Sequence, residues 1–239
     1  MKLSPKLVIF DVDSVLVDVH GSFHKSIIDT VHFFTGHRPT FTQIHDWKNL
    51  SGYNDDWRLS TDWVASLGKP VPYEKVKAQF QKFYWGTKTR PGNVTREKWL
   101  VTHNRLEKWS RRAELALFTG RTRRELKHTL EGTHAERIFR RAVTMDDVKK
   151  GKPDPEGLKL LLNGMSPRDA LYLGDNIDDA LSAKRARVPF LGVLPHGSDR
   201  RAPRAPVFSP AAGGGRCSPA PPPSCRPGGR WRARSRPRS

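Results

Sequence analysis

Short apolar runs that each end on polar residues recur along the first 194 residues of this 239-residue chain. A continuous apolar run of about four to eight residues is typical of a strand buried on both faces of a parallel sheet. Helical patterns alternate with these runs, which predicts an open α/β sheet with helices on both faces. The predicted strands cover residues 6–10, 114–118, 141–144, 170–173 and 189–194, and the predicted helices cover 94–111, 121–131, 155–163 and 177–186.

Residues 20–88 break this alternation, because their apolar side chains recur only at helical spacing. Their many Trp, Phe and Tyr side chains are expected to form a packed core rather than to bind a ligand. The Pro91-Gly92 pair then marks the return to the sheet. We therefore predict a sheet domain of residues 1–19 and 89–198 with a helical insertion. The predicted helices of the insertion are 21–36, 54–67 and 73–85.

The net charge of +19 is concentrated at the end of the chain. Residues 200–239 contain ten Arg, nine Pro, five Gly and no acidic residue, so they supply +10 of that charge. Such a segment cannot bury enough apolar surface to fold, and we predict that residues 199–239 are disordered. A shifted reading frame in a GC-rich gene would give the same composition, and we favour that origin. The alternative is a nucleic-acid-binding tail in which Arg side chains and Trp231 contact phosphates without sequence preference.

The remaining composition excludes several classes of protein. No apolar run approaches the ~20 residues that cross a bilayer, and no secretory signal is visible, so we expect a cytoplasmic protein without a membrane partner. Both cysteines, Cys217 and Cys225, lie in the Arg-rich end. The preceding residues therefore have neither a disulfide framework nor thiol chemistry.

Two carboxylates follow the first predicted strand directly. Asp11 and Asp13 are separated by one residue, so both can face the crevice at the carboxyl end of the sheet. There, one carboxylate can attack a phosphorus atom while the other moves a proton. Taken alone, an Asp-x-Asp pair is more often a solvated turn or a helix cap.

Two further segments place anion-binding groups at a strand end or a helix start. Thr119 and Gly120 follow a predicted strand and offer a hydroxyl and loop amides to an anion. The N-terminus of the helix that follows also favours negative charge. Lys152 opens another predicted helix, where its ammonium can neutralise phosphoryl oxygens as a compact point charge.

A cluster of carboxylates follows the 170–173 run. Asp175, Asp178 and Asp179 lie within five residues, and carboxylate oxygens suit Mg²⁺, which also accepts phosphate as a ligand. Each of the four motifs has an ordinary structural explanation, such as a cap or a turn. Their occurrence together, each at a strand end or a helix start, favours a shared site.

With these motifs in this order, residues 1–194 resemble the haloacid dehalogenase (HAD) superfamily, in the branch with a helical cap after the first strand. Within that branch they are most similar to phosphoglycolate-phosphatase-like proteins. The resemblance implies a Rossmann-like core with the first strand near the sheet centre. It also implies a phosphatase that uses Mg²⁺ and an aspartyl-phosphate intermediate. Residues 20–88 would be the cap, which excludes water and selects the substrate.

The resemblance assigns a role to each motif residue. Asp11 is the implied nucleophile, and Asp13 is the implied general acid and base. Thr119 and Lys152 are implied to hold the phosphoryl group. The implied metal ligands are Asp11, the main-chain carbonyl of Asp13, and Asp175, with Asp178 or Asp179 in support.

The same motifs leave one enzyme class open. Asp13 disfavours carbon–halogen cleavage, because that reaction has no leaving-group oxygen to protonate and the related dehalogenases lack this Asp. A phosphosugar mutase keeps all four motifs and is the alternative within the superfamily. We therefore predict a phosphatase acting on a small phosphorylated metabolite, either phosphoglycolate-like or a sugar phosphate. A nucleic-acid partner is disfavoured.

The predicted cap carries basic residues that could contact the leaving group of the substrate and recognise it. His20, His24, Lys25 and Arg38 are candidates for that role. His20 and His24 also have the i, i+4 spacing of a helical metal site. We see no third ligand near them, and we expect a substrate-facing or solvated pair.

The chain departs from the family pattern in three places. Ser14 stands where the family usually has Gly. Arg187 also stands at a common Gly position, where Gly would end a helix without strain, so Arg is expected to cost stability. After the last strand, the family continues into a closing helix, whereas this chain becomes rich in Pro, Arg and Gly.

Overall fold

The central sheet of the computed structural model, which describes residues 4–193, contains five parallel strands. Their order is β7-β6-β1-β8-β9, which places the first strand in the middle, as expected. Two short antiparallel pairs, β2 with β5 and β3 with β4, lie outside this sheet. The strands are β1 (Leu7–Phe10), β2 (Val17–Asp18), β3 (Gly86–Thr87), β4 (Arg90–Pro91), β5 (Lys98–Trp99), β6 (Glu114–Phe118), β7 (Arg141–Val143), β8 (Ala170–Gly174) and β9 (Phe190–Gly192).

Helices cover both faces of the sheet, so the predicted α/β class is confirmed. On one face, Leu158 of α8 and Ala183 of α9 share a buried apolar cluster with Ile9. On the other face, Leu106 of α5 and Leu126 of α6 belong to a second buried cluster. The helices are α1 (Lys25–Thr35), α2 (Phe41–Lys48), α3 (Asp56–Ser66), α4 (Tyr73–Trp85), α5 (His103–Ser110), α6 (Arg123–Leu130), α7 (Ala135–Ile138), α8 (Glu156–Leu162) and α9 (Ile177–Ala186).

The register of the sheet brings the motif residues to one edge. Phe10 lies opposite Leu117 on one side and Leu173 on the other. Because the three strands run parallel, the residues that follow them emerge at the same carboxyl edge. The loops that carry Asp11, Thr119 and Asp175 therefore begin side by side.

Helices α1–α4 lie between β2 and β3 and pack largely on their own aromatic core. Trp57, Trp63, Phe80 and Tyr84 are buried there, and Trp47 stacks on Trp63 with ring centroids 5.5 Å apart. Aromatic side chains thus pack inside the insertion, as the sequence indicated. No helix within residues 4–193 is long and apolar enough to cross a membrane.

The helix predicted at 94–111 is wrong over its first half. A short 3₁₀ turn at Asn93–Arg96 is followed by β5, in which Trp99 pairs with Val17 of β2. The helix α5 begins only at His103. The Leu100 amide also donates to Leu16 O over 2.8 Å, and this pairing with the segment after β1 overrides the local helical pattern.

Helix α2 and the β3–β4 hairpin were not predicted. α2 begins with a capping box, in which the Thr40 side chain accepts from the Gln43 amide and the Gln43 side chain accepts from the Thr40 amide. The Thr-x-x-Gln spacing before an apolar run is a sequence signal that could have identified it. The hairpin spans residues 86–91, so it crosses the boundary that the sequence placed between residues 88 and 89.

Two positions where the family favours Gly have left-handed backbone here. Ser14 has φ 60° in the tight loop after β1, and Arg187 has φ 60° at the C-terminus of α9. A side chain in this conformation costs roughly 1–2 kcal/mol. The expectation that Arg187 occupies a strained helix end is therefore confirmed. The predictions for residues 199–239 lie outside the described residues.

Candidate active site

Asp11 is the first residue after the central strand and is almost entirely buried. Its side chain is 4% exposed, and its backbone amide donates to Leu173 O over 2.8 Å. Lys152 Nζ donates to Asp11 Oδ1 over 2.7 Å. Burial raises the pKa of the Asp11 carboxyl to about 7, although the Lys152 ammonium opposes that shift.

Lys152 bridges two carboxylates, Asp11 after β1 and Asp179 in the first turn of α9. Its ammonium lies 2.7 Å from Asp11 Oδ1 and 2.8 Å from Asp179 Oδ1, with 1% of the side chain exposed. Burial disfavours the charged form, but Asp11 and Asp179 outweigh burial and raise the pKa of Lys152 above its ordinary value. The sequence-predicted Lys152 is therefore a fixed positive charge beside Asp11.

Of the two supporting carboxylates, only Asp179 joins this cluster. Asp179 Oδ1 accepts from the Tyr172 hydroxyl over 2.6 Å, and Asp179 Oδ2 accepts from the Asp175 amide over 3.2 Å. Only glycine at position 174 lets the Asp179 side chain lie this close to the end of β8, because a Cβ at Gly174 would lie 2.5 Å from Asp179 Cβ. Asp178 instead accepts from Ser51 Oγ over 2.8 Å and from the Gly52 amide over 3.0 Å, which ties α9 to the insertion.

Three of these carboxylates form a group that fits a divalent cation. One oxygen each from Asp11, Asp175 and Asp179 lies within 4.8 Å of the others. Lys152 is the one ammonium paired with this group among residues 4–193, so two negative charges are in excess when all three carboxylates are ionised. Burial and the neighbouring Asp11 raise the pKa of Asp175 well above its ordinary value, as expected where like charges share a site. All-oxygen donors of this kind suit a hard cation.

Asp13 is held by a buried guanidinium rather than by the carboxylate group. Arg121 donates to Asp13 Oδ1 from Nε over 2.8 Å and from Nη2 over 2.6 Å. Arg121 also pairs with Glu97 over 2.9 Å and contacts the hydroxyl of Thr129. The Arg121 side chain is fully buried, whereas 29% of the Asp13 side chain is exposed. The sequence predicted Thr119 and Gly120 at this site, but it did not reveal this role of Arg121 and Glu97.

Thr119 and Gly120 form the loop between β6 and α6. The Thr119 amide donates to Val143 O over 3.0 Å, and Thr119 Oγ1 accepts from the Arg121 amide over 3.1 Å. A Cβ at Gly120 would lie 2.3 Å from Asn54 Nδ2. Gly120 therefore allows the segment before α3 to approach this loop closely.

Lys48, at the end of α2, is a further charged residue that the sequence did not reveal. Its ammonium lies 2.6 Å from Asp56 Oδ1. Burial opposes its charge, but Asp56, and then Asp13 and Asp175, raise the pKa of Lys48 above its ordinary value. The insertion thus brings a lysine into the field of the carboxylates at the sheet edge.

The prediction that no third ligand lies near His20 and His24 is wrong. One ring nitrogen each from His20, His24 and His45 lies within 4.8 Å of the others. His45 lies on α2, more than twenty residues further along the chain. Only the packing of α2 against the start of the insertion brings it to the pair.

Known proteins resemble this chain in both sequence and fold. The imidazoleglycerol-phosphate dehydratase of Phytophthora nicotianae is 30% identical over 194 residues, a match that covers 78% of this chain and 42% of that protein. Phosphoglycolate phosphatase 1 of Pseudomonas aeruginosa is 25% identical, with 77% of this chain and 67% of that protein covered. The chain therefore spans less than half of the first of these relatives.

A solved structure shares the fold at lower identity. A candidate phosphoglycolate phosphatase from Lactobacillus plantarum matches with a TM-score of 0.64 and 18% identity, over 78% of this chain and 85% of that one. A family model described as haloacid dehalogenase-like hydrolase matches residues 8–193. That match runs from β1 to the end of β9 and includes all four motifs. The chain belongs to the haloacid dehalogenase-like hydrolase family, as its motifs predicted.

Proposed function

We propose that this protein is a Mg²⁺-dependent phosphatase that hydrolyses a small phosphorylated metabolite through an aspartyl-phosphate on Asp11. The observation that carries the proposal is the environment of Asp11. This carboxylate lies 2.7 Å from the Lys152 ammonium and within a group of three carboxylates. The name of the Pseudomonas aeruginosa relative supports the same class of reaction.

Asp11 is the nucleophile in this proposal. Its carboxylate oxygen attacks the phosphorus atom and forms an acyl-phosphate bond, while the bond from phosphorus to the leaving oxygen breaks. Water then attacks the same phosphorus atom, which releases inorganic phosphate and restores the Asp11 carboxylate. Its place at the end of a buried central strand supports this role, because the reacting oxygen is held with little freedom.

Asp13 moves the protons. It donates a proton to the leaving oxygen in the first step and accepts one from water in the second. Arg121 contacts only Oδ1 of Asp13 among the atoms of that carboxylate. Oδ2 is therefore available for proton transfer while Oδ1 is fixed, and Arg121 is a positioning residue.

Lys152, Thr119 and Gly120 bind the phosphoryl group. The Lys152 ammonium is already positioned against Asp11, so it can offset charge on the phosphoryl oxygens without reorganisation. The Thr119 hydroxyl is a hydrogen-bond donor at the same sheet edge, whereas the Thr119 and Arg121 amides already donate to Val143 O and to Thr119 Oγ1. The N-terminus of α6 is already capped, because the Thr122 amide donates to Glu125 Oε2 and the Arg123 amide donates to Asp146 Oδ2, each over 2.8 Å.

Mg²⁺ would be held by Asp11, Asp175 and the main-chain carbonyl of Asp13. When ionised, the three carboxylates carry two more negative charges than the Lys152 ammonium balances, which supports a divalent cation there. When bound, Mg²⁺ supplies charge stabilisation to the phosphoryl oxygens. Asp179 supports this arrangement through its bonds to Lys152 and to the Asp175 amide.

The insertion at residues 20–88 acts as a cap that selects the leaving group. Three of its contacts reach the carboxyl edge of the sheet. Ser51 and Gly52 bind Asp178, and Asn54 lies against Gly120. Lys48 adds a positive charge near the reacting carboxylates, which suits a substrate with a second anionic group.

The proposal is tested by measuring inorganic phosphate released from a panel of phosphorylated metabolites with Mg²⁺. We expect release from at least one small phosphate ester. Asp169→Asn is a suitable control, because Asp169 pairs with Lys6 at the opposite edge of the sheet. Conversion of a sugar phosphate to its isomer without net phosphate release would favour the mutase alternative. No release from any ester, including p-nitrophenyl phosphate, would contradict the proposal.

A further inference from the structure

We propose that His20, His24 and His45 form a second metal site, which binds Zn²⁺ or a similar transition-metal ion. Their ring nitrogens lie within 4.8 Å of one another. The ring centroids are 5.1 Å apart for His20 and His24, and 5.5 Å apart for His24 and His45. Imidazole nitrogen is a preferred ligand of Zn²⁺, Cu²⁺ and Ni²⁺, whereas Mg²⁺ prefers oxygen.

The central residue, His24, has an unused donor or acceptor. Its side chain is buried, with 2% of the residue exposed. Across residues 4–193, no hydrogen-bond partner reaches His24 Nδ1. Leaving a buried polar atom unpaired is destabilising, so such an atom calls for an explanation. A metal ion bound by this nitrogen would provide one.

His20 is oriented by a carboxylate, as metal-binding imidazoles commonly are. Asp18 Oδ1 lies 2.7 Å from His20 Nδ1, and it also accepts from the His20 amide over 3.0 Å. The contact with Asp18 places the proton on Nδ1 and leaves Nε2 with a free lone pair. Asp18 thus serves as the outer partner of a His20 ligand.

Both acidic and basic groups lie near the three imidazoles. Asp18 contacts His20, and Asp46 follows His45 directly in the chain. Lys48 is the nearby cation that opposes a metal ion, and it is paired with Asp56.

The three ligands come from two segments of the insertion. His20 and His24 lie on the π-helical turn at His20–His24, directly after the strand β2, and His45 lies on α2. A tetrahedral Zn²⁺ with bonds of about 2.0–2.1 Å needs nitrogens about 3.3 Å apart, so small side-chain rotations would close the site. The ion would tie α2 to the entry of the insertion. Three protein ligands leave a fourth position for water or another ligand.

The test is a Zn²⁺ titration of the full chain by calorimetry with Mg²⁺ in excess. His45→Gln is the primary variant, because His45 is only half-buried and its replacement should not unfold the protein. We expect His45→Gln and His24→Gln each to lose one equivalent of bound Zn²⁺. His37→Gln, which changes an exposed histidine of the same insertion, should bind as the wild type does.

A second set of variants distinguishes Zn²⁺ bound by the three histidines from Zn²⁺ bound by the carboxylate group. Asp175→Asn should keep the Zn²⁺ equivalent that His45→Gln loses. Zn²⁺ should also raise the unfolding temperature of the wild type but not that of His45→Gln. Equal Zn²⁺ stoichiometry in the wild type and His45→Gln would overturn the proposal, as would loss of that equivalent in Asp175→Asn alone.

Discussion

Arg121 holds Asp13 by one oxygen only, with Nε 2.8 Å and Nη2 2.6 Å from Oδ1. Both donors of the guanidinium edge converge on that atom, so the orientation of the carboxylate is fixed while Oδ2 is left for exchange of a proton. Arg121 Nη1 donates to Glu97 Oε2 over 2.9 Å, so a second carboxylate pairs with the same guanidinium. The proposed general acid is therefore positioned by a residue that is itself fully buried.

Arg121→Lys should lower kcat by about 10²-fold with little change in KM. A lysine keeps the positive charge but loses the planar guanidinium, whose Nε and Nη2 both donate to Asp13 Oδ1. The measurement is steady-state hydrolysis of a phosphate ester with a poor leaving group. Arg123→Lys is the matched control, since Arg123 is exposed and pairs with Asp147 at the surface. Equal kcat values for Arg121→Lys and the wild type would remove Arg121 from its positioning role.

Asp13→Ala should slow hydrolysis of esters with poor leaving groups more than hydrolysis of esters with good ones. A good leaving group departs as an anion and needs less protonation. The measurement is a series of aryl phosphates of graded leaving-group pKa, in the variant and the wild type. The same loss at every member of the series would show that Asp13 does not act as the general acid.

Activity should require Mg²⁺, and Ca²⁺ should inhibit. The larger and looser coordination shell of Ca²⁺ would misplace the attacking Asp11 carboxylate. Mg²⁺ should also raise the unfolding temperature of the wild type, since three carboxylates repel one another without it. Asp175→Asn should reduce that thermal shift. Full turnover in excess chelator would contradict a requirement for Mg²⁺.

Arg187→Gly should raise the free energy of unfolding by about 1 kcal/mol. Arg187 ends α9 with φ 60°, a conformation that glycine adopts without strain. The measurement is a denaturant titration. Arg185→Gly offers a control of opposite sign, because glycine inside α9 should destabilise the helix. A lower stability for Arg187→Gly would mean that contacts of the Arg187 side chain outweigh its backbone strain.

The sheet and the motif residues at its edge could be predicted because their signals are local. A buried strand is a continuous apolar run, and the polar residue after it must lie at the carboxyl edge. The choice between Asp178 and Asp179 could not be made in this way. Adjacent residues on a helix point about 100° apart, and the Asn176 cap at the start of α9 fixes which of them faces Lys152.

The contributions of the insertion could not be predicted from local patterns. Lys48 and His45 lie on α2, a helix whose capping box was present in the sequence but was not recognised. Their proximity to the carboxylates and to His24 depends on how α2 packs against the rest of the insertion. Glu97 likewise reaches Arg121 because a β-bridge replaces the predicted helix at its start. Such long-range contacts leave no periodic signal in the sequence.

In the proposed reaction, Asp11 forms the covalent bond to phosphorus. Asp11→Asn removes that bond, because the amide keeps the size of the side chain but cannot form an acyl-phosphate. We predict that p-nitrophenyl phosphate turnover with Mg²⁺ falls by at least ~10³-fold, while Asp169→Asn retains the wild-type rate. Near-normal turnover by Asp11→Asn, in protein whose fold is intact by circular dichroism, would contradict the aspartyl-phosphate mechanism.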